Sequence, residues 1–156
     1  MKEELLSVGI DLGTSTTQLV FSRLIIENMA GAYAVPRMEI TEKEIRYRSS
    51  IHFTPLLSQT VIDFPKVKEI VEAEYERAGI RKDEIHTGAV IITGETARKE
   101  NAWAVVDALS GFAGDFVVAT AGPDLESLLS GKGAGMDGYS REYRLTGVNI
   151  DIGGGT

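Results

Sequence analysis

The chain of 156 residues contains no cysteine. That absence excludes a disulfide framework, a thiol nucleophile and cysteine-ligated zinc. It has no basic block either: 16 Lys and Arg stand against 23 Asp and Glu, for a formal net charge of −7. A surface that neutralises nucleic-acid phosphates or docks on anionic lipid needs clustered cations, so no nucleic acid and no membrane is expected as partner. Nucleotide binding stays open, because backbone N–H groups hold phosphate without net positive charge. No apolar run approaches the roughly 20 residues of a membrane span. The stretch Met1–Leu6 is too short and too acidic for a secretory signal. A cytoplasmic protein is the expectation. Only two histidines are present. His52 and His86 lie far apart, without ligand spacing, and read as ordinary residues rather than metal ligands.

What the chain does have is a succession of patterned apolar segments. Ser7–Asp11 is a short apolar run ending in an acid. In Thr17–Ile26, Leu19, Phe21 and Arg23 alternate with Gln18, Val20 and Ser22. The Gly13-containing stretch between these runs predicts a hairpin. Residues 27–38 read as loop, with Gly31 and Pro36 as breakers. In 43–54, Ile45, Tyr47, Ser49, Ile51 and Phe53 alternate as in a half-buried strand of the same sheet. Pro65 opens a helix with an apolar stripe of Val67, Ile70, Val71 and Ala78, and Gly79 stops it. Ala89–Thr93 is continuously apolar, as in a strand buried on both faces. A second helix is predicted from Glu95 to Leu109, with Ala102, Trp103, Val106 and Leu109 on one side. Phe116–Thr120 reads as a second buried strand. Pro123 opens a third helix with Leu125, Leu128 and Leu129, ending near Gly131. Residues 131–138 are glycine-rich, and Val148–Ile152 is a final predicted strand. Three strands followed by strand–helix alternation predict an α/β fold, a mixed sheet with helices on its faces. No linker divides it.

The segment Val8-Gly9-Ile10-Asp11-Leu12-Gly13-Thr14-Ser15-Thr16 is echoed by Val148-Asn149-Ile150-Asp151-Ile152-Gly153-Gly154-Gly155-Thr156. Each is an apolar strand, an Asp, one apolar residue, then a turn of small and hydroxyl residues. Glycine lets a backbone approach a ligand closely, and successive N–H groups with hydroxyls make a cup for phosphate oxygens. A strand-end Asp is placed to hold a divalent cation, through water for Mg²⁺. Each motif alone also reads as a plain hairpin with a glycine turn, but two copies a domain length apart favour the ligand reading. Competing phosphate motifs fail. Gly133-Ala134-Gly135-Met136-Asp137-Gly138 fits G-x-G-x-x-G but follows a helix rather than a strand. Gly131-Lys132 lacks the rest of a P-loop, and no G-x-S-x-G elbow occurs.

D-L-G-T-S-T and D-I-G-G-G-T resemble the two phosphate motifs of the actin/Hsp70/sugar-kinase superfamily. More specifically, V-G-I-D-L-G-T-S-T-T-Q-L-V-F-S-R-L, I-I-T-G-E-T-A-R-K-E-N-A and A-T-A-G-P-D-L-E-S-L-L-S-G-K-G-A-G resemble the ethanolamine ammonia-lyase reactivase family, the ethanolamine utilisation protein EutA. The resemblance runs over essentially the whole chain, which would be about the first third of such a protein. It implies a ribonuclease H-like, actin-like ATPase domain with a mixed five-stranded sheet and helices on both faces. Residues 1–147 would form the first ATPase subdomain and 148–156 the start of the second. It further implies an ATP- and Mg²⁺-using chaperone that releases damaged cobalamin from inactivated ethanolamine ammonia-lyase, its partner, in the cytoplasm or at the ethanolamine microcompartment. Asp11, Gly13, Thr14, Ser15 and Thr16 would form one phosphate cup. Asp151, Gly153, Gly154, Gly155 and Thr156 would form the other, with Asp11 and Asp151 holding Mg²⁺ through water. In Hsp70-like members a Glu precedes the proline that opens the connecting helix, whereas here Gly122 does. Strong hydrolysis is therefore not expected. Glu95, after the Thr93-Gly94 turn, is the substitute catalytic candidate, with an N-terminal helix acid as its plainer reading. Glu126, one turn into its helix, reads as solvated. A weak ATPase at most, with this stretch alone inactive and binding ATP weakly, is the expectation. Homo-association through the unpaired strand 148–152 is a further one. A small-molecule kinase or phosphohydrolase, and an actin-like filament or scaffold, are the alternatives.

Overall fold

The computed structural model describes residues 2–30, 34–112, 115–121 and 123–152. Strands β1 (Lys2–Leu12) and β2 (Thr16–Asn28) form the hairpin that the Gly13 turn predicts, paired from Lys2 opposite Glu27 to Leu12 opposite Thr17. β3 (Met38–Arg48) runs antiparallel to β2 on its other edge, and the two-residue β4 (His52–Phe53) pairs with the start of β2. Helix α1 (Phe64–Ala78) then carries the chain back, so that β5 (Thr87–Thr93) lies parallel to β1. Helix α2 (Ala102–Ser110) does the same for β6 (Asp115–Ala121) beside β5. Parallel neighbours need such crossovers. The sheet order is β3-β2-β1-β5-β6. Helices α3 (Pro123–Gly133) and α4 (Met136–Tyr143) follow. The α/β mixed sheet is as expected, with β4 as a short sixth strand off the main path.

The ends of α1 show why it forms where it does. The Asp63 carboxylate accepts from the Lys66 N–H at 3.3 Å, a proline occupies the first turn, and Gly79 closes the helix at φ +66°. Left-handed backbone at a helix end favours glycine because it carries no Cβ.

The core lies between one face of the sheet and the helices α1 and α2. Alternate residues Val8, Ile10 and Leu12 of β1, Leu19 and Phe21 of β2, and Val90 and Ile92 of β5 are buried there. They pack with Val67, Val71 and Tyr75 of α1 and with Val105, Val106 and Leu109 of α2. The Phe21 and Tyr75 rings meet edge-on at 4.8 Å. Each such side chain contributes about 1.5–3 kcal/mol on leaving water. The same alternation puts Ser7, Gly9 and Asp11 on the opposite face.

That opposite face departs from expectation. Thr87, Ala89, Ile91 and Thr93 of β5 are only half-buried, so this strand is not buried on both sides. A groove of about 500 Å³ runs over the first residues of this strand, lined by Gly9, Val20, Leu24, Ile40, Ile45 and Ala89 among others. Other differences have local causes. Trp103 faces out, 66% exposed, because it sits about 100° around the helix from the buried row Ala102, Val105, Val106 and Leu109. The predicted helix from Glu95 begins instead as a 3₁₀ turn, Gly94–Arg98, before α2. The predicted strand 43–54 is interrupted at Ser49, which exchanges hydrogen bonds of 2.9 Å with Leu19 through its N–H and its hydroxyl. Ile45, Ile51 and Phe53 are exposed, because no element among the described residues covers them. The glycine-rich stretch runs into α4, which glycine content concealed. Val148–Ile152 forms no strand: it pairs with no strand among the described residues, its Asn149 amide donates to the Ser130 hydroxyl at 3.0 Å, and Val148, Ile150 and Ile152 are exposed.

Candidate functional site

The turn at the C-terminal end of β1 is held from two sides. Asp11 stands on the open face of the sheet, where the Thr93 hydroxyl donates to its Oδ1 at 3.5 Å. The register explains the meeting: Leu12 lies opposite Ile92, and Thr93 follows one step on. Surrounding protein strips part of the hydration of the Asp11 carboxyl, and the negative charges of Glu126 and Asp151 add to this. Together they outweigh the Thr93 hydrogen bond and push the carboxyl above its ordinary range.

Gly13 turns the chain, its N–H donating to the Thr16 carbonyl at 2.8 Å. A Cβ there would lie 3.0 Å from that carbonyl oxygen, a tight approach that glycine avoids. The Gly13 carbonyl accepts two hydroxyls, from Thr54 at 2.9 Å and from Thr96 at 3.0 Å. Both threonines are buried. Thr54 also donates its N–H to the Ser15 carbonyl at 2.9 Å, and its hydroxyl lies 3.1 Å from that of Thr17. Thr14 accepts the Glu95 N–H at its Oγ1, at 3.0 Å. Gly94 has φ +59°, and a Cβ on it would fall 2.3 Å from that same oxygen.

The structure therefore brings Asp11, Gly13, Thr14, Ser15 and Thr16 into one turn, with Glu95 beside it. The Glu95 carboxylate, however, pairs with Arg98 at 2.9 Å on the surface. Asp151 is exposed, outside any strand, and within electrostatic reach of Asp11. Glu126, expected to be solvated, is half-buried and acts on the same carboxyl. Gly153, Gly154, Gly155 and Thr156 lie outside the described residues, as does Gly122. Hydroxyl and peptide groups suit phosphate oxygens, and carboxylates suit a hard cation. Among the described residues no three acidic or imidazole groups converge as a direct metal cage.

Sequence reasoning passed over Thr54 and Thr96. The second was within reach, since T-G-E-T follows a strand end as the Gly13 turn does. It also passed over Glu74, fully buried in α1. This carboxylate accepts the Tyr47 hydroxyl at 2.7 Å, lies 2.8 Å from His52 Nε2 and pairs with Arg77. Burial pushes the carboxyl up, but these three partners outweigh it and hold it below the ordinary range. His52 therefore ties β4 to α1. The signal was in the stripe: Glu74 follows Val67 and Val71 at helical spacing.

The family model of the ethanolamine utilisation protein EutA matches residues 3–156. The chain belongs to this family. It is 48% identical over 153 residues to the ethanolamine ammonia-lyase reactivase EutA of Salmonella typhimurium, a match covering 98% of this chain and 33% of that protein. Identity and coverage are the same against the reactivase EutA of Escherichia coli K12. The chain thus spans about a third of the length of these relatives. Among solved structures, a Ppx/GppA family member of Aquifex aeolicus aligns with a TM-score of 0.46 at 11% identity, covering 82% of this chain and 38% of that one. The type II variant of the Aquifex aeolicus Ppx/GppA phosphatase aligns at 0.42 and 13% identity, over 76% and 36%. No helix among the described residues of this EutA-family chain is long and apolar enough to cross a membrane.

Proposed function

We propose that this chain is the phosphate-gripping first part of an ATP-dependent chaperone that reactivates ethanolamine ammonia-lyase by helping damaged cobalamin leave it. The observation that carries the reading is 48% identity, over nearly the whole chain, to proteins named as reactivases of that lyase. The turn adds chemical support. Gly13, Thr14, Ser15 and Thr16 offer the small and hydroxyl residues of one phosphate cup, and Gly153, Gly154, Gly155 and Thr156 would supply the other. Asp11 and Asp151 would hold Mg²⁺ through water, and the cation, when bound, would offset the negative charge of the phosphates. Catalysis by the Glu95 carboxylate would require it to leave Arg98. The protein would work in the cytoplasm or at the ethanolamine microcompartment, as a weak ATPase at most. Residues 1–156 alone would bind ATP weakly, since the relatives are about three times as long. Association of copies through residues 148–152 belongs to the same reading.

The test is reactivation by the full-length protein. Ethanolamine ammonia-lyase, inactivated with its cobalamin still bound, is incubated with ATP, Mg²⁺ and adenosylcobalamin. Deaminase activity is expected to return only when protein and ATP are both present. No return of activity, with phosphorylation of a metabolite instead, would replace the chaperone by a kinase.

A further inference from the structure

Four consecutive residues, the last of β5 and the first three of the 3₁₀ turn after it, touch the Asp11–Thr14 segment. Thr93 donates to Asp11, Gly94 packs on the Thr14 hydroxyl, Glu95 donates its N–H to that hydroxyl, and Thr96 donates to the Gly13 carbonyl. From the other side, Thr54 donates to the same carbonyl. In a trans peptide the carbonyl and the next N–H point in opposite directions. Holding the Gly13 carbonyl against two buried hydroxyls therefore turns its lone pairs away from the rim and directs the Thr14 N–H away from those hydroxyls. The Thr14 hydroxyl, already accepting from Glu95, keeps its own hydrogen for another acceptor. A donor that also accepts is polarised into a better donor.

We propose that Thr54 and Thr96 are positioning residues that together hold the Gly13 carbonyl inward, and that residue 95 serves the turn through its peptide N–H rather than its carboxylate. The inference rests on the phosphate-binding reading of this turn and adds to it three residues and a direction of action. The two threonines share one acceptor, so either can partly cover for the other. Losing both leaves a part-buried carbonyl unpaired, which is the more costly outcome.

The experiment uses the full-length protein and measures Mg²⁺–ATP affinity by calorimetry, with ligand-free melting points alongside. Thr54→Val and Thr96→Val are each expected to weaken ATP binding about two- to fivefold, and the double variant by more than the product of the two. Thr96→Ser, which keeps the hydroxyl, should restore binding. Glu95→Pro, which removes the N–H that the Thr14 hydroxyl accepts, should weaken ATP binding more than Glu95→Gln, which keeps it. A purely structural role would lower the melting points and leave ATP affinity unchanged in the variants that still fold, which would overturn the inference. So would ATP binding weakened as much by Glu95→Gln as by Glu95→Pro. Wild-type protein that binds no ATP would sink the functional reading and this inference together. Wild-type binding with unaffected threonine variants would sink the inference alone.

Discussion

Alanine at position 94 measures how closely two turns fit. Gly94 has φ +59°, and a Cβ there would stand 2.3 Å from the Thr14 Oγ1 but 3.6 Å from the Thr14 Cβ. Two separable costs follow. Left-handed backbone costs a residue with a Cβ about 1–2 kcal/mol. The displaced Thr14 hydroxyl also loses its hydrogen bond from Glu95, about 1 kcal/mol, with some strain besides. Gly94→Ala should therefore destabilise the chain by about 2–3 kcal/mol in wild type. With Thr14→Ala already in place the offending oxygen is gone, and 3.6 Å is ordinary contact. Only the backbone cost then remains, so the two substitutions should couple by about 1 kcal/mol or more in a double-mutant cycle. The assay is denaturant unfolding of wild type, both single variants and the double variant, followed by circular dichroism. Equal costs of Gly94→Ala in the two backgrounds would refute the argument, because the approach of residue 94 to the Thr14 hydroxyl would then not be the constraint.

Asp11→Asn should make the ligand-free protein more stable at neutral pH. The folded carboxyl is raised above its ordinary range, so its ionised form is disfavoured by folding. That penalty is absent below the unfolded value, about 3.9, and grows as pH rises through the folded one. The gain should vanish in acid, and melting curves across pH check it. Glu74 has the opposite sign. Its folded carboxyl is depressed, so its stabilisation is present above the unfolded value of about 4.3 and is lost as pH falls through the lower folded value. Glu74→Gln should cost about 1–3 kcal/mol at neutral pH and less in acid, by denaturant unfolding. Trp103→Ser should change stability by no more than about 0.5 kcal/mol, because the ring faces solvent. A larger loss would mean that the helix is turned differently.

Local chemistry made parts of this fold legible. The Gly13 hairpin, the proline and glycine that bracket α1, and the strands at 89–93 and 116–120 were readable because one residue or one apolar run decides each. What escaped depends on partners distant in the chain. Nothing near Thr54 announces that its hydroxyl reaches Gly13, a contact set by β4 pairing with the start of β2. Glu74's place in the apolar stripe hints at burial, but Tyr47 and His52, which satisfy it there, arrive from other elements. Ile45, Ile51 and Phe53 alternate as a strand does, yet alternation cannot say whether the face it defines is covered. Val148–Ile152 carries strand propensity, and propensity without a partner forms no ladder. The first half of the candidate site was therefore legible in its residue types, but the means by which it is held was not.

The turn also carries features that a hairpin serving only to reverse the chain would do better without. Asparagine at 11 would spare it an unfavourable charge among Glu126 and Asp151. A carbonyl facing solvent would need no pair of buried hydroxyls, and a loop farther from Thr14 would need no left-handed glycine at 94. Each feature is locally unfavourable or demands exact neighbours, and such strain collects where structure is shaped for a ligand. In the proposed reading a phosphate and its cation relieve them together. The cation meets the excess of carboxylate, and the phosphate meets an N–H and a hydroxyl that are already oriented. Ligand binding would then reverse the sign of the Asp11→Asn effect: the variant that is more stable alone would be the less stable one in saturating Mg²⁺–ATP, measured on the full-length protein. Persistence of its advantage with nucleotide bound would show that the charge at Asp11 is not there for the cation.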